Sequence, residues 1–388
     1  MATGANDKYW EDHRLPGVLK LHLVKRYLPV FLIRTSVPTK HVAYIDGFAG
    51  RGRYDNGSLG SPGIMLTFAK DQLSQGVAVD LFLCEKNADF FADLTQLAAP
   101  YRADGLAIDV TNGLAAEHLS SMLPRVAALP TFIFEDPTGL GVPYVDLVTA
   151  MKRNDSAAWP PTEMIINLSL EAIRRIGGHV RSATPNEKSM RRLDEALGGD
   201  WWRDLLSAGV TEGAVEAVVS RFAEKLGRDT ESHVVVVPVL RAPRQQPVYY
   251  LVFCTRHLHG VWNFGHCAAK ATEDWWKAAG ALAVQREDAR AGDQLDLLPA
   301  ETVLAWPSID EVEREAVPYI ADQINRLLIT EKKPITLGDH PRAVFGKYFG
   351  QVRESAARAA VKHLHARGLT PSTGKGDKVE KLVVVPAD

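Results

Sequence analysis

Tyr44-Ile45-Asp46-Gly47-Phe48-Ala49-Gly50-Arg51-Gly52-Arg53-Tyr54 is the stretch that decides the fold. An apolar run from His41 to Ile45 ends in an Asp and breaks into a loop carrying glycines at 47, 50 and 52. Glycine lets backbone N–H groups come close to a ligand, and loops at the carboxyl ends of strands are where open α/β sheets bind ligands. The pattern is neither the G-x-G-x-x-G of dinucleotide enzymes nor G-x-x-x-x-G-K-[ST]. With no Lys, the loop is not built for a triphosphate. A plain glycine turn after a buried strand is the alternative reading.

The form Asp-x-Phe-Ala-Gly-x-Gly resembles the nucleotide loop of S-adenosylmethionine (SAM) methyltransferases. On that reading Asp46, Gly47, Phe48, Ala49, Gly50 and Gly52 cradle the methionine and sulfonium end of the cofactor. Downstream, Gly57 and Gly60 lead to Ser61-Pro62, read as an N-cap followed by the first helical residue. The next strand, Val77 to Cys84, ends at Glu85-Lys86-Asn87. A carboxylate at this tip can accept from both ribose hydroxyls, which assigns Glu85, with Lys86 beside it, to the cofactor. The 39 residues from Asp46 to Glu85 exceed the roughly 20 of the dinucleotide pattern. A third strand, Leu106 to Thr111, contains Asp109, expected to accept from the adenine amine or to form an Asx turn.

Thr131-Phe132-Ile133-Phe134 is a fourth strand, followed by Glu135-Asp136-Pro137-Thr138-Gly139. An acid-Pro pair here is the catalytic position of amino-group methyltransferases: the carboxylate orients the target amine at the methyl, and Pro137 stiffens the tip. Asp136 and Pro137 are therefore the expected catalytic pair, with Arg53 and Tyr54 at the mouth. A Pro-Gly turn is the structural alternative. Strand five runs from Met164 to Ser169 and includes Asn167. His233–Leu240 and Pro247–Arg256 read as a hairpin. The predicted fold class is α/β: a Rossmann-like, doubly wound sheet of methyltransferase type, with five parallel strands and an antiparallel pair. Trp201 and Trp202 are expected to pack rather than to stack on a ligand.

The 388 residues are 46% apolar and 24% charged, ordinary for a globular protein. No run approaches the ~18 apolar residues of a membrane span, and the N-terminus has no secretory apolar core. Cys84, Cys254 and Cys267 lack metal-ligand spacing, so a reducing cytoplasm and no metal are expected.

Arg286 to Ala300 is polar and reads as a linker. It divides the chain into a first domain of 1–285, a linker of 286–305 and a C-terminal domain of 306–388. Beyond the linker, Ser308 with Glu311 forms a capping box. A short strand at Lys332–Leu337, a helix near Pro341 and a helix from about Val352 to Arg367 follow. Gly368 stops that helix, and the chain ends in a hairpin around a Gly/Lys tip. That order predicts a winged helix. Residues 331–388 carry 11 Lys/Arg against 6 Asp/Glu, a charge of +5; with −2 overall, residues 1–330 carry −7. Arg358, Lys362 and His365 share one helix face, and Lys375 and Lys378 sit at the wing tip. This suits phosphate contacts on nucleic acid, or else a solvated face on a module used for protein contacts or homodimerisation.

Taken together, these segments resemble the bacterial three-Cys-motif partner proteins, whose members look like SAM methyltransferases with an appended winged helix. The pieces carrying the resemblance are the 44–54 loop, Gly60-Ser61-Pro62, Glu85, Phe-Glu-Asp136-Pro137-Thr-Gly139, Asn167, Tyr250 to His257 and the opening helix around Leu19–Leu28. The resemblance implies SAM as cofactor, S-adenosylhomocysteine as product and a radical-SAM-like partner with a three-cysteine cluster. A departure matters: the family's Asp-Pro-Phe-Gly is Asp136-Pro137-Thr138-Gly139 here. No aromatic stands at 138 to stack on a flipped base, which leaves Tyr144 or Tyr54 as substitutes. The expected activity is methyl transfer to an amino group of a nucleic-acid base. Alternatives are a small-molecule or protein substrate, or a non-catalytic scaffold.

Overall fold

The computed structural model describes residues 14–54, 57–154, 159–240, 246–291, 308–376 and 378–387, with side chains of 14–16 and 281–291 left aside. Seven strands form one sheet: β1 (His41–Asp46), β2 (Ala78–Glu85), β3 (Ile108–Asn112), β4 (Thr131–Glu135), β5 (Thr162–Ser169), β6 (His233–Leu240) and β7 (Pro247–Thr255). Their order is β3-β2-β1-β4-β5-β7-β6. β1 to β5 are parallel, and β7 runs antiparallel to both β5 and β6. This is the doubly wound, methyltransferase-type sheet expected from the sequence. The strand order switches between β1 and β4, the position at which open α/β sheets bind ligands.

The helices are α1 (Arg14–Ser36), α2 (Ser61–Ser74), α3 (Ala88–Ala103), α4 (Ala115–Met122), α5 (Tyr144–Lys152), α6 (Leu170–Gly177), α7 (Glu187–Leu197), α8 (Trp202–Leu206), α9 (Glu212–Thr230), α10 (Leu258–Ala291), α11 (Ile309–Glu331), α12 (Pro341–Phe345) and α13 (Ser355–Ala366). Ala43, Ile45, Ile133, Met164 and Val252 bury one sheet face against α4 to α9. On the other face Phe132 meets Phe31 edge-on at 5.5 Å. Strands β1 and β4 are buried at almost every position, as parallel strands covered on both faces must be. Trp202 is fully buried and donates from Nε1 to Asp194 at 2.9 Å; it packs, as expected.

The chain divides into two compact units. Among the described residues the first covers 28–240 and 246–256; the second covers 14–27 and everything from 257 on. The sequence division at 285 grouped 257–285 with the sheet, whereas the structure gathers them with the second unit. Residues 286–291, expected as linker, continue helix α10. The rest of that linker, 292–305, lies outside the described residues.

The second unit has its own core, in which Ala316, Ile320 and Ile324 of α11 meet Ala357, Ala360 and Leu364 of α13. Ser308 and Glu311 form the expected capping box. β8 (Ile335–Thr336) pairs antiparallel with β9 (Val383–Val384). The first arm of the expected hairpin is not a strand. Thr370 and Ser372 instead bond from their hydroxyls to the carbonyls of Val385 and Val383, at 2.6 and 3.4 Å. Pro371 between them has no N–H for a ladder.

Candidate active site

The β1 loop is held from beneath. Asp46 is fully buried; its Oδ1 accepts from the Phe48 N–H at 3.1 Å, and its Oδ2 from the hydroxyls of Ser61 (3.0 Å) and Tyr44 (3.1 Å). Burial pushes its pKa up to about 7 against these three donors, with Asp136 adding repulsion. Asp46 is therefore the pin of the loop, not a group facing a ligand. Ser61 was expected to cap α2, but the cap position is Gly60 and Ser61 is buried on Asp46.

The loop backbone is equally engaged. Ala49 N–H donates to the Cys84 carbonyl at 2.9 Å and Gly50 N–H to Glu85 Oε2 at 2.9 Å. Gly52 has φ +78°, and a methyl there would collide with Leu97. Arg53 is exposed and Tyr54 half-buried; both stand on this loop. Glu85 also accepts from Asn87 N–H at 2.7 Å. Two donors leave about two of a carboxylate's four lone-pair sites, enough for a pair of ribose hydroxyls. Lys86 is exposed beside it.

Asp109 falls elsewhere. It is the second residue of β3, with its Oδ2 on Arg125 at 2.5 Å. The residue at the carboxyl tip is Asn112, whose Nδ2 donates to the Glu85 carbonyl at 2.8 Å. The third unit's acid is thus in an ion pair near the start of β3, and Asn112 occupies the strand end that the sequence assigned to it. Tyr144 is also displaced from its expected role. It is buried against Phe222 and bonds Asp229 at 2.9 Å, so it cannot stack on a base. Tyr54 and half-buried Phe48 are the aromatics on the loop itself.

β4 ends at Glu135, and Asp136 follows just beyond the strand. Asp136 accepts from Asn167 Nδ2 at 2.8 Å. That bond fixes the amide, so Asn167 Oδ1 is left buried with no donor. Pro137 is buried and Thr138 exposed. Glu135, for which the sequence reading gave no role, is fully buried against Gly47. The signal the sequence carried was its place at the end of the apolar run Thr131–Phe134.

In the second unit, Arg358 Nη1 donates to the carbonyls of Gly374 (2.9 Å) and Gly376 (2.7 Å). It ties the tip to α13. A His365 ring nitrogen lies 3.1 Å from the Thr370 carbonyl. Lys362, Lys375 and Lys378 are exposed, and Lys362 lies beside Gly374. Of the five residues expected on nucleic acid, two serve the unit's own loop.

No protein-family model matches the chain, and no curated protein matches it. Among solved structures it is similar to a Legionella pneumophila protein described by family model DUF519 (15% identity, 62% of this chain and 84% of that one, TM-score 0.34). It is also similar to the methyltransferase domain of bacterial Hen1 (11%, 60% and 97%, 0.30) and to geranyl diphosphate C-methyltransferase from Streptomyces coelicolor (14%, 59% and 75%, 0.25). No helix among the described residues is long and apolar enough to cross a membrane.

Proposed function

We propose that the crevice above β1 and β4 binds S-adenosylmethionine and directs its methyl to an amine nitrogen. The observation that carries this reading is the Asp136–Asn167 pair: a carboxylate and a buried, donor-free amide oxygen side by side at the tip of adjacent strands. An amine bearing two N–H groups satisfies both acceptors, and its lone pair is then aimed by their geometry. The cofactor supplies an activated methyl on a sulfonium. Glu85 holds the ribose, Asn112 stands nearest the adenine end, and Asp46 with Ser61 keeps the loop rigid. Asp136 accepts the amine proton as nitrogen gains the methyl carbon, and later releases it to water; Pro137 excludes water from one side.

A base amine of a nucleic acid is the substrate class we favour, because exposed Lys362, Lys375 and Lys378 suit phosphates. The resemblance to three-Cys-motif partner proteins supports a setting with a radical-SAM-like partner. The test is methyl transfer from labelled SAM to single- and double-stranded DNA, RNA and free nucleosides. Transfer lost in Asp136→Ala and in Asn167→Leu supports the reading. Transfer unaffected by both refutes the assignment of the pair.

A second reading has its own support. Phe48, Ala49 and Gly50 N–H groups are already bonded within the protein, which fits a scaffold whose loop no longer opens to a cofactor. Absence of SAM binding in calorimetry at millimolar ligand would favour it.

A further inference from the structure

Arg358 is engaged inside its own unit. Its Nη1 donates to the carbonyls of Gly374 at 2.9 Å and Gly376 at 2.7 Å. One guanidinium nitrogen thus holds both ends of the turn Gly374-Lys375-Gly376 against α13. The turn depends on its glycines. Gly374 has φ +72°, and a Cβ there would stand 3.1 Å from Lys362 Cγ and 3.2 Å from the Arg358 carbonyl oxygen. Gly376 has φ +143°, and a Cβ there would stand 2.8 Å from Leu382 Cδ2. Lys375 alone carries a side chain between them, and it is exposed.

In a planar trans peptide unit the N–H points away from the C=O. With the Gly374 carbonyl turned onto Arg358, the Lys375 N–H faces away from that guanidinium, beside its own ammonium-bearing side chain. Lys362, whose stem lies against Gly374, is exposed on α13, and Lys378 is exposed just after the turn. Asp377, the acid between Gly376 and Lys378 in sequence, lies outside the described residues. Cationic side chains gathered around an outward N–H suit a phosphodiester oxygen. A turn already fixed by its own bonds binds without the ordering cost that a mobile loop carries.

We propose that the turn Gly374-Lys375-Gly376 is a preformed clamp for a phosphate of a nucleic-acid backbone, and that Arg358 is the positioning residue that holds it rather than a residue that touches the nucleic acid. The inference rests on the nucleic-acid reading given above and names how that ligand is held. Its consequence is that charge alone does not set affinity here. Lys362, Lys375 and Lys378 act together because one turn places them, so loosening the turn releases several contacts at once.

The test is binding of the full chain to a labelled DNA duplex across a salt series. Each lost phosphate contact lowers the slope of log affinity against log salt by about 0.9. Gly374→Ala leaves every charge in place, yet should lower the slope by about 1 to 2. Arg358→Met removes one charge and should lower it by more than the value of about 0.9 for a single contact. A melting curve checks that each variant is folded. In the unaltered chain, the amide resonance of Lys375 should move as duplex is added. A Gly374→Ala slope equal to that of wild type overturns the clamp. So does a Lys375 amide that stays put in duplex-bound wild type, or an Arg358→Met loss no larger than one contact. Failure of wild type to bind duplex at any salt refutes the nucleic-acid reading itself, and this inference with it.

Discussion

Two groups of charges in this molecule are built on opposite plans. In the second unit, Arg353 of the segment before α13 is met from its backbone N–H and its guanidinium by Glu313 at 2.7–3.0 Å, and also by Asp310. Ser355 adds a hydroxyl to the same Glu313. These acids raise the pKa of the guanidinium, and nothing is left for a ligand to satisfy. In the first unit, burial and acidic neighbours raise the pKa values of Asp46 and Glu135 at the ends of β1 and β4. The Arg353 group has been completed by the fold and holds α11 to α13. The ends of β1 and β4 hold buried acids whose burial favours the protonated form. Charge is sustained in the one and disfavoured in the other.

The contrast is tested most severely at Asp46. Its pKa is raised from 3.8 to about 7, so the native state binds a proton that the unfolded chain has lost. Stability from this group is present below about pH 4 and falls as the pH rises toward 7. At pH 8 the ionised, buried group costs roughly 4 kcal/mol. Asp46→Asn should lack that slope, and unfolding curves at pH 5 and pH 8 measure it. Parallel pH profiles for wild type and variant would show that Asp46 is not a buried acid held against its preference.

Next is the completed group. Glu313→Ala leaves the Arg353 guanidinium to Asp310 alone and strands a backbone N–H, and should destabilise the protein to urea by about 2–3 kcal/mol. Little change would mean that this network is decoration. Removing the unbalanced group should have the opposite sign. Glu135→Met eliminates an unsatisfied buried carboxyl at similar volume and should stabilise the ligand-free protein by about 1–2 kcal/mol. Loss of stability would break the comparison outright. The smallest effect belongs to the exposed lysines. Lys375→Ala and Lys378→Ala should each reduce the slope of log affinity against log salt by about 0.9 for duplex DNA, with little effect on stability. Slopes that do not move would remove nucleic acid from these side chains.

The sheet was legible because its signals are additive along the chain: apolar runs, glycine breaks and acids at strand tips recur at each β-α passage. The glycine loop, the β4 tip and the packing of Trp202 were readable for the same reason. What the residues could not disclose was which way each side chain faces. Asp109 is the second residue of β3 and pairs with Arg125, and the strand runs three residues beyond it to Asn112. Tyr144 was open to a stacking role because nothing nearby in sequence announces Asp229, 85 residues on. Arg358 and His365 share a face with Lys362 as expected, yet their partners come from a loop whose path depends on hydroxyl bonds and glycine conformations. Roles set by distant partners are invisible to spacing.

The terminal strand β6 carries one further consequence. His233-Val-Val-Val-Val-Pro-Val-Leu240 has the β-branched, nearly uncharged composition that recruits another chain to an open sheet edge. Pro238 stands in that strand, and its register against β7 shifts at Val239–Leu240. A missing donor and a kink spoil the template for edge-to-edge growth. The same four valines that close the sheet can therefore remain at its border without drawing neighbouring molecules into fibrils.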